Sequence, residues 1–359
     1  KKIKKEESES MNYFEYVSSS DKTFEEKAFN EVDNLVLSCL TYLDFTGIVP
    51  NKKVEVSLKT AGEIYLETYK KREIAKLGIA QKDAYKLLQL AIKSPRFKNI
   101  MLSNYRYITS LDSQFSAMTF KITKKLKFIG FEGTDELLSG WKEDAYLSFR
   151  FPVDAQEYAI NYLNEVVSFL DSNIILGGHS KGGNLALVSG MYANFLIKNK
   201  IKKIYSNDGP GLRKEEFFSK KYEKIKDKYE HIIPTHSLVG TLLYNGPYHV
   251  VKTTNKNIFA HIAASWVIEG ESFINAKQDK KSIQIEDKLN KYIASLSYED
   301  QEKIVNTIFR DLEKQGIKSL NEFFNFRKLL KSIKSLKNIS PDVKDILNDV
   351  VDIIVSNYL

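Results

Sequence analysis

The chain holds one cysteine, Cys39, in 359 residues. One thiol cannot close an internal disulfide, so a disulfide scaffold is excluded and a reducing compartment suits the chain. Cys39 lies in an apolar helical pattern and reads as a buried structural thiol. The five histidines form no cluster with it, which removes zinc-ligand spacing. No apolar run approaches the roughly 20 residues that cross a bilayer. The first ten residues are charged and polar, with no secretory apolar segment. Aromatic–basic interleaving of the kind that binds RNA is also missing. These absences lead us to expect a cytoplasmic protein with no nucleic-acid partner, no metal and no cofactor.

What is present suffices for a large core. Hydrophobic residues make up 43% and aromatic residues 12% of the chain, and the net charge of +8 favours anionic surfaces. Residues 1–28 read as a polar lead-in. Val32, Leu35, Val36, Leu40 and Leu43 recur at a helical period, and residues 60–93 read as two more helices. The pattern then changes. Ala117–Ile122 and Lys127–Phe131 read as paired strands about the turn 123–125. Pro152 reads as opening a helix that runs through Leu170. Strands at 173–177, 203–206, 232–233 and 249–253 alternate with helical stretches, one of them 183–198. That alternation implies parallel units whose ligand site lies at the carboxyl ends of the strands. From 283 onward only helices are legible. They include 299–314, stopped by Gly316, and one started by Ser340-Pro341. The expected fold is α/β, a mostly parallel sheet flanked by helices. A helical segment at 29–100 precedes the sheet core at 115–282, and a helical extension at 283–359 follows it.

Within that order Gly178-His179-Ser180-Lys181-Gly182 fits G-x-S-x-G, with the apolar run Ile174–Leu176 before it and a helix after it. In that setting the pattern describes a nucleophile elbow. Small residues flank the serine because the turn is tight, and the Lys181 N–H at the helix start faces where an oxyanion would form. A serine hydroxyl needs a base, and the base needs an orienting acid. Asp208 ends the strand before Gly209-Pro210-Gly211 and could supply the acid, or simply form an Asx turn. His261, in a loop after the strand 249–253, is the candidate base, with His236 as its rival. His179 reads as a core residue. Phe131-Glu132-Gly133-Thr134 follows another strand, and Thr134 could give its N–H and hydroxyl to the oxyanion.

Phe131-Glu132-Gly133-Thr134, Trp141-Lys142-Glu143-Asp144 and the block from Gly178 to Asn184 together resemble the Mbeg-like family, a bacterial group placed among α/β hydrolases. Asn207–Gly211 and Ser265–Gly270 are similar to further blocks of that family, and the similarity runs from about Phe29 to residue 315. More distantly the chain resembles class 3, fungal-type lipases. That likeness implies a Ser-Asp-His triad and an oxyanion hole at Thr134. Two departures stand out. Glu132 occupies the place of the lipases' arginine. The segment 234–240, where those lipases carry their acid, has no carboxylate, which returns the role to Asp208. Lys181 replaces a leucine and either favours an anionic substrate group or snorkels to solvent.

The expected activity is hydrolysis of a lipid or lysophospholipid ester by Ser180, His261 and Asp208, with Lys181 and Thr134 holding the oxyanion. A thioesterase, a peptidase or a non-catalytic binding module are the alternatives. The charged excursion 212–230 reads as a lid or a solvated helix. Residues 326–339 place Arg327, Lys328, Lys331, Lys334 and Lys337 opposite Leu329, Leu330, Ile333 and Leu336. Such a helix either lies on an anionic membrane surface or packs on its own protein with a wet basic face.

Overall fold

The computed structural model describes residues 10–69, 71–110, 113–134, 138–314 and 316. The expected helices at 326–339 and after Ser340-Pro341 lie outside the described residues.

Eight strands form one sheet in sequential order: β1 Val56–Ser57, β2 Met101–Thr109, β3 Gln114–Lys121, β4 Leu126–Phe131, β5 Asn173–His179, β6 Ile201–Asn207, β7 Tyr229–Pro234 and β8 Tyr248–Val251. The pairs from β1 to β4 are antiparallel and those from β4 to β8 parallel. A short β9–β10 hairpin, Ile268–Glu269 with Ser272–Phe273, stands apart. The parallel half is buried on both faces, and its strands alternate between two cores. Phe128, Ile175, Tyr205 and Ile232 face one layer, and Ile129, Leu176 and Ile204 face the other.

On the first face pack α1 Tyr13–Ser19, α2 Glu31–Leu40, α3 Leu58–Thr68 and α5 Ile79–Ala91, with the single turn α4 Lys71–Ile74 between α3 and α5 in the chain. On or beside the second lie α6 Leu138–Tyr146, α7 Asp154–Val166, α8 Lys181–Tyr192, α9 Phe195–Lys200 and the short α10 Lys214–Phe217 and α11 Lys220–Glu223. The helices α12 Lys280–Ser295 and α13 Tyr298–Lys314 follow. This is an α/β-hydrolase fold.

Several boundaries differ from the sequence reading for local reasons. The residues read as a polar lead-in contain α1, capped by Asn12, whose Tyr13, Phe14, Tyr16 and Val17 are buried. β2 carries no clean apolar alternation, and its register shifts between Ser103 and Arg106, so it was not legible. The helix after Pro152 begins at Asp154, where Gln156 Oε1 accepts the Val153 N–H at 3.0 Å, and it ends at Val166. The stretch 183–198 is two helices, because Asn194 caps a new one by accepting the Ile197 N–H. The excursion 212–230 is anchored: Tyr222 and Ile225 join the core, and Leu212 exchanges backbone hydrogen bonds with Tyr244. Cys39 is buried, as its pattern implied.

Candidate active site

Ser180 sits between β5 and α8 at φ 57° and ψ −133°, a region that a residue with a Cβ enters only under constraint. Its N–H donates to Asn207 O at 2.9 Å, and its carbonyl accepts the Gly183 N–H at 2.9 Å. The constraint comes from crowding. A Cβ on Gly178 would lie 2.2 Å from the Gly182 carbonyl carbon, and one on Gly182 would lie 2.2 Å from Phe131 O. Strand, helix start and the end of β4 therefore close on each other around the serine. Asn207 is pinned from beneath: its side chain donates to Gly178 O at 3.0 Å and accepts from Asn34 of α2 at 2.9 Å.

Asp208 follows Asn207 directly, at the carboxyl end of the neighbouring strand. Its backbone takes φ 52°, and its N–H donates to Ile232 O at 2.7 Å. The carboxylate is buried. Oδ2 meets His261 Nδ1 at 2.6 Å, and Oδ1 accepts from Ser237 Oγ and from the Gly240 N–H at 3.1 Å. Burial alone would raise its pKa, but the His261 and Ser237 hydrogen bonds and the nearby imidazole outweigh burial and hold it below the usual carboxylate range. An ionised Asp208 requires the proton of neutral His261 to sit on Nδ1, which leaves Nε2 as the basic atom.

His261 ends a short 3₁₀ turn, Asn257–His261. His179 fixes it from below. His179 Nε2 lies 2.9 Å from the His261 carbonyl oxygen and must donate there, so its Nδ1 accepts from the Tyr42 hydroxyl at 2.9 Å. The two imidazole centroids are 4.5 Å apart. Burial, then repulsion from His261, push His179 down to about 3, so it stays neutral. His179 is buried, as expected of a core residue, and its bond to the His261 loop is an addition that no local pattern signals. The rival His236 faces Asp279 at 3.7 Å instead. His231 is buried in the sheet, where desolvation pushes it down to about 4.

Lys181 corrects both readings of its side chain. It is 1% exposed, so it does not snorkel to solvent, and its ammonium is committed to partners inside the protein. Its ammonium donates to Glu143 Oε2 at 3.0 Å and to Gln114 O at 2.8 Å. Desolvation would lower its pKa, but Glu143 and Asp144 outweigh it and raise it. The lysine thus ties α8 to α6 and β3, leaving its backbone N–H at the helix start.

Thr134 is partly exposed, and its hydroxyl donates to Asp144 Oδ2 at 2.6 Å. That proton is therefore not offered to an oxyanion, and the backbone N–H is what remains. Gly133 beside it lies so close to the elbow that a Cβ would stand 2.0 Å from Tyr42 Oη and 2.6 Å from His179 O. Asp144 is half-buried, and its buried Oδ1 has no hydrogen-bond partner among the described residues. Desolvation pushes it up to about 6 against the pull of Lys181 and Thr134. Ser237 and Gly240, in the segment that lacks a carboxylate, supply donors to the acid one strand earlier.

A strained serine between strand and helix, with an aspartate–histidine pair at the next strand's end, has the layout of the α/β-hydrolase class. The family model described as Mbeg1-like matches residues 91–310, well over half of the chain. The chain belongs to the Mbeg1-like family. No curated protein sequence matches it. Among solved structures it is similar to M37 lipase, at 14% identity and TM-score 0.35, covering 59% of this chain and 69% of that one. It is similar also to the lipase of Rhizopus microsporus var. chinensis, at 16% identity and TM-score 0.32, covering 55% and 72%. The Rhizomucor miehei lipase propeptide complex is a third, at 16% identity and TM-score 0.28, covering 41% and 57%.

Proposed function

We propose that this protein is a serine hydrolase that cleaves carboxylic esters by acyl transfer. The observation that carries the reading is the His261–Asp208 hydrogen bond of 2.6 Å, set beside the strained backbone of Ser180. In the proposed reaction Ser180 Oγ attacks the ester carbonyl as His261 Nε2 takes its proton, and Asp208 holds the imidazole in the tautomer that allows this. The backbone N–H groups of Lys181 and Thr134 receive the negative charge on the carbonyl oxygen. His261 then protonates the departing alcohol, and water attacks the acyl-enzyme by the same route. A lipid or lysophospholipid ester is the substrate class we favour, in keeping with the lipase-like motifs around Thr134 and Ser180.

A fluorophosphonate probe tests the chemistry directly. The folded wild type should be labelled, and Ser180→Ala should not. An unlabelled, folded wild type would falsify the hydrolase reading and leave a hydrolase fold used for binding. A panel of oxygen esters, thioesters and peptides, each run against Ser180→Ala, then separates esterase from thioesterase and peptidase.

A further inference from the structure

The turn before β5 and the helix α9 before β6 hold four large apolar side chains out in solvent. Phe169 and Leu170 are 88% and 85% exposed, and Phe195 and Leu196 are 75% and 65% exposed. The two pairs share one surface. Lys200 Nζ donates to the carbonyls of Ser168 and Phe169 at 2.8 and 2.7 Å, and the Asn194 N–H donates to Asn164 at 2.9 Å. The buried Ile197 anchors α9, so Phe195 and Leu196 stand on a fixed base. Lysines crowd the same edge: the charges of Lys224, Lys221 and Lys228 bear on Lys198, and that of Lys202 on Lys228. The turn carrying the exposed Lys124 and Lys125 adjoins them, because the Asn173 N–H donates to Lys125 O at 3.2 Å. Three nearby acids are already matched, Asp171 with Lys127, Glu230 with Lys203 and Glu223 with Lys226, which leaves the exposed Asp227 as one negative charge among these lysines.

Exposed large apolar side chains grouped together and rimmed by charge mark an interaction surface. We propose that the amino edge of the sheet docks the protein on an anionic lipid surface. Phe169, Leu170, Phe195 and Leu196 enter the boundary between headgroups and acyl chains, and the surrounding lysines face lipid phosphates. The shape favours lipid over a protein partner. With 65% or more of their surface exposed, the four side chains project from the 169–170 turn and the first turn of α9, which suits a deformable apolar layer, whereas a protein would need matching pockets. Ser180 lies at the other end of β5, about 20 Å away at ~3.3 Å per residue. The docked protein therefore turns its candidate catalytic edge away from that surface, and the docking holds whether or not Ser180 is a nucleophile.

Full-length protein is sedimented with phosphatidylcholine vesicles, with and without phosphatidylglycerol. Binding should require the anionic lipid and weaken as salt rises. The variant Phe169→Ser/Leu170→Ser/Phe195→Ser/Leu196→Ser should partition at least tenfold less, with circular dichroism and thermal transition unchanged. Lys124→Glu/Lys202→Glu/Lys224→Glu should lose a comparable factor. The proposal is overturned if wild type ignores anionic vesicles or binds neutral ones equally well. It is overturned too if both variants bind undiminished, which would place the anchor elsewhere in the chain. Self-association abolished by the serine variant, without vesicle binding, would instead make this a contact between copies.

Discussion

Single residues decide how the site is charged. Desolvation acts on both the buried Asp208 and the half-buried Asp144, yet they are driven in opposite directions. Asp208 has an imidazole, a hydroxyl and a backbone N–H on its two oxygens, whereas Asp144 has one hydroxyl on Oδ2 and nothing on Oδ1 among the described residues. Because Asp144 is pushed up to about 6, its ionisation weighs against the folded state. Its stabilising share is complete below the unfolded carboxyl value of about 4 and is lost as pH rises through 6. Between pH 4.5 and 7.5 that loss amounts to about 2 kcal/mol. Denaturant unfolding at the two pH values should show this difference between wild type and Asp144→Asn, with the variant gaining relative stability at the higher pH. Equal pH responses of the two proteins would remove Asp144 from the account. The place of Asp208 at a strand's carboxyl end was legible in the sequence, because the strand pattern stops at Gly-Pro-Gly. The Thr134–Asp144 bond was not, because only the folded loop shows where a hydroxyl proton points.

At the level of elements, four pieces of structure meet at one carboxylate. Glu143 of α6 accepts from Lys181 of α8, from the Ser113 hydroxyl at 2.7 Å, from the N–H of Gln114 in β3 at 3.3 Å and from the N–H of Ala155 in α7 at 2.9 Å. These donors replace the water that both charges lost. Cutting one partner is costly, because the other is left buried and uncompensated. Lys181→Met should destabilise the protein by about 3–5 kcal/mol, and adding Glu143→Gln should restore a large part of that loss. Urea midpoints for the two single variants and the double variant close the cycle, and additive losses would show that the pair is not coupled. The elbow itself was readable from glycine spacing and its apolar lead-in, since steric crowding is written into residue size. A lysine after Ser180 gave no sign of its partner, because Glu143 is distant in sequence and only the packing of α6 against α8 joins them.

Over the whole molecule, the far end of the described chain supports the candidate site. The sequence showed helices beyond 283 without showing what they touch, since an amphipathic face names no partner. In the structure α13 meets α6 through Tyr146 Oη and Asn306 at 2.7 Å, and Val305 and Leu243 pack around Tyr146, Leu147, Phe149 and Val153. Asn290 of α12 reaches the loop that serves Asp208: it accepts the Leu243 N–H at 2.8 Å and donates to Thr241 O at 2.8 Å. The same loop carries Ser237 and Gly240, the donors to Asp208 Oδ1. A side chain that contacts none of the candidate catalytic groups thus holds the loop that holds their acid. Catalytic geometry tolerates little drift, and a displacement of about 1 Å can cost about 100-fold in rate. Asn290→Ala should therefore slow fluorophosphonate labelling of Ser180 by roughly ten- to a hundredfold. Circular dichroism and the labelling stoichiometry should stay as in wild type. Should labelling proceed at the wild-type rate, the helical pair is packed against the site without steering it.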